Sequence, residues 1–368
     1  MKVLMISTDK KILEQGSSVQ KRMQEYGSLV DELDIIVCAK NGKQIVLDNN
    51  VQVFPTNSKS KIFYFWDAVR VAKKNIQSDV DLVTTQDPFE TGLAGWMISE
   101  RLKAKLQLQI HTDFLSPHFI SGSLKNRIRV ILAKFLLPKA DSIRVVSERI
   151  KQSLTTYNLR LTTVSVLPIF VDVEKIKSSP INVDLHEKYP QFDFIILMTS
   201  RFEPEKNIEL AIDAMKDVIK KNPKAGLVIA GSGSLEKELN NQVRNLGLED
   251  NVKFEGWVED LSSYYKTADV FLNTSNYEGY GMTLIMSASS GCPIITTDVG
   301  VVGEFVNKEN SLVVNVGDKK SLVDGISKLI ADSNLADSLK NKAQDAVSKL
   351  DSKEEYLEKY KKSWEACL

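Results

Sequence analysis

Residues 194–231 read FIILMTSRFEPEKNIELAIDAMKDVIKKNPKAGLVIAG. The apolar run at 194–199 predicts a buried strand, residues 207–221 carry apolar side chains at helical spacing, and a second apolar run begins at 225. A strand, a helix and a further strand in this order are typical of a parallel sheet covered by helices on both faces. This stretch therefore predicts an α/β fold.

The same alternation of strands and helices extends over most of the chain. Other predicted strands lie at 2–8, 33–39, 81–86, 106–112, 142–147, 163–168, 251–258, 268–275, 292–298 and 311–316. Polar residues and two prolines around 175–192 separate an earlier series from a later one, which predicts a domain boundary. We therefore expect two doubly wound domains, at 1–180 and 181–350, that face each other across a cleft at the carboxyl ends of their strands.

Composition and charge exclude several classes of protein. With 368 residues, 43% of them hydrophobic and 26% charged, the sequence has the make-up of a soluble globular protein. No apolar run reaches membrane-spanning length, the N-terminus lacks a signal-peptide pattern, and the three cysteines suit free thiols, so we expect a cytoplasmic protein.

Charge is unevenly distributed along the chain. Residues 1–183 hold 26 Lys and Arg against 18 Asp and Glu, and the remainder holds 22 against 30. The basic first half indicates either an anionic partner or charge pairing between the two halves. The acidic second half, the neutral total and the lack of recognition motifs argue against nucleic acid as that partner.

Two cations follow the strand at 194–199. Arg201 comes directly after it, and Lys206 lies near the start of the next helix. Side-chain charges and helix amides add together at such a place, which favours an anion such as a diphosphate. The alternative is ordinary surface charge, with Glu203 and Glu205 as local partners.

A glycine-rich turn follows the strand at 268–275. In EGYGM (278–282), Gly279 and Gly281 let the backbone approach a ligand closely, and the helix after them supplies unpaired N–H groups. Glu278 can accept hydrogen bonds from a polyol. The alternative is a plain strand-to-helix turn with a surface glutamate.

Four stretches taken together resemble one family. SRFEPEKN (200–207), VIAGSGSLEKEL (228–239), VKFEGWVED (252–260) and ADVFLNTSNYEGYGMTLIMSASSGCPIITTDVG (268–300) are similar to the retaining, metal-independent glycosyltransferases of family 4. The resemblance is strong over 197–318 and weaker before it. It implies the GT-B fold of two Rossmann-like domains, with a C-terminal helix at 351–368 that returns toward the N-terminal domain. It also implies a UDP- or GDP-linked sugar as donor, with no cofactor and no metal.

The resemblance assigns roles to individual residues. Arg201 and Lys206 would hold the donor diphosphate, and Glu278 would bind the sugar hydroxyls. His111, in LQIHTDF, stands where the family places a histidine that faces the donor sugar; the alternative is a satisfied residue at a strand end. These four are the expected catalytic residues. Further donor-binding residues would be Gly16, Ser17, Gly256, Trp257, Val258, Gly279, Tyr280, Gly281, Met282, Thr283 and Met286.

Met286 departs from the family pattern. The family has a second glutamate eight positions after the first, and it receives the ribose hydroxyls of the nucleotide. A thioether is only a weak acceptor, so we expect weaker nucleotide binding with an intact reacting centre. An active enzyme with relaxed nucleotide recognition, an engineered position and an inactive sugar-nucleotide-binding subunit all remain open. A nucleotide-sugar 2-epimerase is a further alternative, although the carboxylates it needs in the cleft are not evident.

Two basic segments of the first half also carry aromatic or apolar residues. KSKIFYFWDAVRVAKK (59–74) sets four consecutive aromatic residues among five cations and one Asp, and LKNRIRVILAKFLLPKA (124–140) has five cations and no acid. Cations and aromatics on a helix suit the surface of an anionic bilayer and hence a lipid-linked or polysaccharide acceptor. The alternative is a helix whose apolar face packs on the sheet while its lysines are solvated.

Overall fold

A computed structural model describes residues 1–48, 50–76, 79–156 and 163–368. The described chain forms two compact units, Met1–Pro168 with Asp351–Leu368 (unit 1) and Ile169–Leu350 (unit 2). The division thus precedes the expected boundary at residue 180. The reason lies in the short helix at Val173–Ser178, because Lys266 of unit 2 donates to the carbonyl oxygen of Lys177 at 2.9 Å and fixes this helix to unit 2.

Unit 1 is built on a sheet with the order β3-β4-β2-β1-β5-β6-β7-β8. The strands are β1 (Lys2–Ser7), β2 (Glu32–Val37), β3 (Ile45–Asp48), β4 (Val51–Pro55), β5 (Leu82–Thr85), β6 (Lys105–Ile110), β7 (Ser142–Val145) and β8 (Thr163–Val166). The helices are α1 (Ser18–Gly27), α2 (Tyr64–Asn75), α3 (Glu90–Leu102), α4 (Pro117–Gly122), α5 (Leu124–Leu136) and α6 (Glu148–Thr156). All pairings are parallel except that of β3 with β4. The sequence did not predict β3 or β4.

Unit 2 has a second parallel sheet, with the order β11-β10-β9-β12-β13-β14. Its strands are β9 (Phe194–Thr199), β10 (Ala225–Ala230), β11 (Val252–Gly256), β12 (Val270–Asn273), β13 (Ile294–Thr297) and β14 (Leu312–Val314). Its helices are α7 (Val173–Ser178), α8 (Leu185–Lys188), α9 (Ile208–Lys221), α10 (Glu236–Leu246), α11 (Leu261–Thr267), α12 (Met282–Ser290), α13 (Lys319–Ala331) and α14 (Ser333–Val347). The strand order is that of a Rossmann sheet, and it reverses between β9 and β12.

The last helix, α15 (Lys353–Glu365), belongs to unit 1 although it follows unit 2 in the chain. Ser352 and Glu355 form a capping box at its start. Its aromatic face is buried, and Tyr360 stacks on Tyr26 of α1 with ring centroids 4.2 Å apart. This agrees with the expected return of the C-terminal helix to the N-terminal domain.

The switch point of unit 2 positions its loops. In open parallel sheets, ligands bind outside the carboxyl ends of the strands where the strand order reverses. The loops after β9 and β12 therefore meet at this edge, and they contain Arg201, Lys206 and Glu278. Across the described residues, no helix is both long and apolar enough to cross a bilayer.

Candidate active site

Lys206 and Glu278 form the centre of the site in unit 2. Lys206 ends a 3₁₀ turn, Pro204–Lys206, after β9, and its Nζ donates to Glu278 Oε1 at 2.5 Å. Ser275 Oγ donates to the same oxygen at 2.8 Å. The two charged side chains are only 15% and 14% exposed. A cation and a carboxylate predicted to serve the same ligand thus lie in direct contact.

Hydrogen bonds connect the loop after β9, which carries Lys206, to the loop after β12, which carries Glu278. Thr274 Oγ1 donates to the carbonyl oxygens of Lys206 and Asn207 at 3.0 and 2.9 Å. The N–H of Asn276 donates to the carbonyl oxygen of Glu205 at 2.8 Å. Because backbone atoms of both loops are engaged, the position of the ion pair is set by the sheet edge and not by the two side chains alone.

Arg201 lies beside the pair with its side chain 68% exposed. Its guanidinium contacts Glu205 Oε1 at 2.9 Å, so the expected local partner is present. The backbone is held more tightly than the side chain: the N–H of Phe202 donates to the carbonyl oxygen of Ser232 at 2.9 Å. Gly231 makes this approach possible, since a Cβ there would lie 1.8 Å from the carbonyl oxygen of Ser200. An exposed guanidinium on a fixed backbone can turn toward an anion.

The glycine turn opens the N-terminus of α12. Gly281 has φ +91° and occupies the cap position, so the cap residue has no side chain that could accept from the first-turn N–H groups. First-turn N–H groups without a side-chain cap are a binding site for an anion. Met282 is exposed, Thr283 is half-buried, and Tyr280 is buried. The predicted turn residues therefore combine a buried aromatic side chain with residues that are exposed or half-buried at the start of α12.

Gly300 is a residue that the sequence reasoning missed. It follows β13 with φ +57°, and a Cβ there would lie 2.3 Å from the carbonyl oxygen of Tyr280 and 3.1 Å from the Cβ of Glu278. The N–H of Val301 donates to the same carbonyl oxygen at 2.9 Å. The turn at Gly300 thus packs against the turn at 278–282 and holds the carbonyl oxygen of Tyr280 in place. Its sequence signal is a glycine three residues after β13, a strand adjacent to β12.

Met286 lies one helical turn after Met282 on α12 and is half-buried. Its side chain offers a thioether, which is only a weak hydrogen-bond acceptor.

The segment predicted to line the base pocket begins at the end of β11. Gly256 has φ +66°, and its carbonyl oxygen accepts from the N–H of Gly231 at 2.6 Å. The loop that holds Arg201 thus also holds this segment. Trp257 is 68% exposed and Val258 is half-buried. An exposed indole beside a phosphate site can stack on a nucleobase.

In unit 1, Gly16 and Ser17 lie where α1 begins. Gly16 has φ +75°. The hydroxyl of Ser17 donates to the carbonyl oxygen of Lys11 at 2.6 Å and accepts from the N–H of Gln20 at 3.2 Å, which caps the helix. Both hydrogen-bonding roles of this hydroxyl are thus taken within the protein. A role of Ser17 in donor binding stays a prediction.

His111 directly follows β6 and is half-buried. Its Nε2 lies 3.1 Å from Gln109 Oε1. Burial, with the nearby guanidinium groups of Arg144 and Arg22, lowers the pKa of His111 to about 3. The ring is therefore neutral at physiological pH, which limits it to hydrogen bonding without charge.

Two family models match the chain. Glycosyltransferase Family 4 matches residues 29–175, and Glycosyl transferases group 1 matches residues 186–346. The chain belongs to the group 1, family 4 glycosyltransferases. The second match contains Arg201, Lys206, Glu278 and the start of α12, and the expected family is confirmed.

Curated relatives are similar over part or most of the chain. The alpha-monoglucosyldiacylglycerol synthase of Streptococcus pneumoniae is 31% identical over 242 residues, which is 63% of this chain and 54% of that protein. The capsular polysaccharide biosynthesis glycosyltransferase CapM of Staphylococcus aureus is 26% identical over 83% of each chain. The matches to the first three relatives span 54%, 62% and 58% of the length of those proteins.

Solved structures share the fold. Sucrose-phosphate synthase from Thermosynechococcus elongatus superposes with a TM-score of 0.84 at 18% identity, covering 99% of this chain and 98% of that one. The Anabaena protein HepE in complex with UDP-glucose has a TM-score of 0.78 at 20% identity and covers all of both chains. These likenesses confirm the predicted GT-B fold.

Proposed function

We propose that the protein transfers a sugar from a nucleotide diphosphate sugar to an acceptor hydroxyl, with retention of the anomeric configuration and without a metal ion. The carrying observation is the arrangement in unit 2, where Lys206 and Glu278 lie in contact beside the open N-terminus of α12. A cation, helix amides and a hydroxyl-binding carboxylate at one switch point match the parts of such a donor.

The donor would divide its groups among these residues. The diphosphate would bind to the α12 amides and to the exposed guanidinium of Arg201, with Lys206 behind them. The sugar hydroxyls would donate to Glu278, whose carboxylate Lys206 and Ser275 already orient. The nucleobase would stack on the exposed indole of Trp257. Binding of the ribose would lack the carboxylate that Met286 replaces, so nucleotide recognition would be relaxed.

Charge develops on both sides of the breaking bond. As the bond from the anomeric carbon to the phosphate oxygen breaks, negative charge grows on the leaving nucleoside diphosphate. Arg201, Lys206 and the α12 amides would stabilise that charge. The acceptor oxygen would attack from the same face, and its proton would pass to the leaving phosphate oxygen. Charge, atoms and configuration are then conserved without a covalent intermediate on the protein.

Relatives suggest which substrates to test. HepE was crystallised with UDP and with UDP-glucose, so UDP sugars are the first donors to test, and GDP sugars the second. The names of two relatives refer to a glycolipid and a capsular polysaccharide. A lipid-linked or polysaccharide acceptor fits both. The alternative is a catalytically weakened or inactive subunit that binds the donor. Met286 motivates this alternative, because a thioether would be a poor acceptor for the ribose hydroxyls.

An apolar stripe on α5 supports contact with a membrane. Leu124, Ile128, Ile131 and Phe135 recur at helical spacing and are 50 to 73% exposed, while Val130, Ala133 and Leu136 on the other side are buried. Near the start of α2, Ile62 and Trp66 are also exposed, at 84% and 62%. The alternative, a helix whose apolar face packs on the sheet, accounts for the buried side of α5 but not for these exposed apolar side chains.

The charge around the stripe fits an anionic bilayer. The segment 124–140 has five cations and no acid, and Glu90 of α3 pairs with Arg129 but leaves Arg127 exposed. Amphipathic helices with this composition lie in the interfacial zone of anionic membranes. All three cysteines are free, which suits a reducing compartment, so we place this contact on the cytoplasmic face.

Vesicle binding tests the membrane proposal. We expect the protein to co-sediment with phosphatidylglycerol vesicles at low salt, and the double variant I128S/I131S to stay in the supernatant. The matched control V323S changes a half-buried valine of α13 in unit 2 and should leave binding unchanged. Equal sedimentation of wild type and I128S/I131S would contradict the proposal.

Donor turnover tests the proposed function. Purified protein is incubated with UDP- and GDP-sugars with and without a glycolipid acceptor, in EDTA, and released nucleotide is measured. We expect nucleotide release that EDTA does not abolish, and a product whose anomeric proton coupling in NMR matches that of the donor. An inverted product would contradict retention. Absence of release, together with absence of donor binding in calorimetry, would contradict the function itself.

A further inference from the structure

A chain of buried polar groups in unit 1 leads to His111. The side-chain N–H₂ of Gln109 donates to Thr84 Oγ1 at 2.9 Å and to Tyr360 OH at 3.2 Å. Arg144 Nη1 donates to Gln109 Oε1 at 2.9 Å. A guanidinium has only donors, so the atom that faces it must be the amide oxygen. The orientation of the Gln109 amide is therefore fixed by chemistry on both sides.

Arg144 is itself held inside the protein. It is 2% exposed, and its Nη2 donates to the carbonyl oxygen of Leu167 at 3.2 Å and to Tyr356 OH at 3.3 Å. Its Cζ lies 4.5 Å from the ring centroid of Tyr360. Within the described chain, no carboxylate lies at ion-pair distance from this guanidinium. A buried cation kept without a counter-charge needs a reason beyond packing.

The amide oxygen of Gln109 determines the tautomer of His111. An amide oxygen only accepts, and Nε2 lies 3.1 Å from it, so Nε2 must carry the ring proton. A neutral imidazole with the proton on Nε2 has its lone pair on Nδ1. The guanidinium groups of Arg144 on β7 and Arg22 on α1 both act against a second proton on this ring.

We infer that Gln109 and Arg144 are positioning residues that hold His111 as the neutral Nε2–H tautomer, so that Nδ1 accepts a hydrogen bond from a hydroxyl of the substrate. The hydroxyl-bearing substrate rests on the proposed function; the state of the ring does not. His111 then orients a hydroxyl and neither donates nor removes a proton in the transfer. Tyr356 and Tyr360 of the C-terminal helix close the network around Arg144.

Nitrogen NMR reads the ring directly. The chain has three histidines, so a ¹⁵N-histidine sample gives three ring systems, with His118 and His186 as internal references and H111Q for assignment. We expect the coupling pattern of the Nε2–H tautomer for His111 from pH 5 to 8. An Nδ1–H pattern, or a ring that gains a proton near pH 6.5, would overturn the inference even if the protein transfers sugar.

Variants test the two positioning residues. Q109M removes the acceptor at similar volume, and we expect a mixture of both tautomers with kcat lowered by about 10- to 100-fold and KM changed by less than about threefold, as for a misplaced catalytic contact. R144K keeps the charge and should keep the Nε2–H tautomer. Unchanged signals of His118 and His186 show that Q109M is folded. A pure Nε2–H tautomer together with wild-type kcat in Q109M would overturn the inference. A protein without transferase activity but with the expected wild-type tautomer would contradict the proposed function alone.

Discussion

Replacing Lys206 by methionine is the sharpest test of the site in unit 2. Methionine keeps most of the length of the side chain but removes the ammonium group that contacts Glu278 and that would face the leaving phosphate. Two separate effects follow, one on stability and one on turnover, and the structure gives a magnitude for each.

The stability effect comes from Glu278. Its carboxylate is 14% exposed and keeps the hydroxyl of Ser275 as a donor after Lys206 is lost. Removing one partner of a fully buried pair costs about 3–5 kcal/mol, and partial exposure with a remaining donor reduces this to about 1–3 kcal/mol. The double variant K206M/E278Q should regain part of that loss, because no unpaired carboxylate then remains.

The effect on turnover comes from the transition state. Removing one preorganised donor to a developing oxyanion costs about 3–4 kcal/mol, so kcat should fall by about 10²- to 10³-fold. The assay is nucleotide release at saturating donor, with urea unfolding on the same samples. K216M is the matched control, since Lys216 is exposed on α9, and it should change neither quantity. A folded K206M protein with kcat within threefold of wild type would refute the assigned role of Lys206.

Three other changes have distinct expected results. M286E restores a strong acceptor and should tighten donor binding by about 10- to 100-fold in calorimetry, corresponding to one charge-assisted hydrogen bond of about 1.5–3 kcal/mol; unchanged affinity would show that the ribose lies elsewhere. G300A forces a Cβ against the carbonyl oxygen of Tyr280 and should lower donor affinity, whereas G303A, with φ +99° and open space around its Cβ, should affect stability only; equal donor affinity in the two variants would contradict this. Burial raises the pKa of Asp34 to about 6. The ionised carboxylate therefore lowers the free energy of unfolding: this loss is absent below about pH 4, grows as pH rises to about 6, and is constant above that. D34N should thus stabilise the protein by about 1–3 kcal/mol at pH 8 and by much less at pH 4 in urea unfolding, and an equal gain at both would contradict the titration.

The strands and helices could largely be predicted because their patterns are local. The run at 194–199 matches β9, and the helix expected at 207–221 begins at Ile208. The edge strand β3 and its neighbour β4 could not be predicted in this way. β3 alternates between exposed and half-buried residues, and β4 ends in a proline, so its burial follows from pairing with β2 and not from its own pattern.

The same distinction between local patterns and distant pairing applies to the residues of the site. Arg201, Lys206 and Glu278 were found because each follows an apolar strand, but their contact depends on β9 and β12 being neighbours, which sequence order does not show. The hydroxyl of Ser17 caps α1, a local role that the resemblance to the family does not show. Gln109 and Arg144 left a signal that was not used, namely polar side chains inside otherwise apolar strands.

The place of the C-terminal helix has a consequence for how the protein is made. The last eighteen residues, Asp351–Leu368, supply part of the interior of unit 1 but leave the ribosome after all of unit 2. Until then, Tyr360 cannot stack on Tyr26 in the nascent N-terminal half, and Tyr356 and Tyr360 cannot contact Arg144. Unit 2 is contiguous in the chain and can complete its folding first, so the half that is synthesised earlier is the one that matures last.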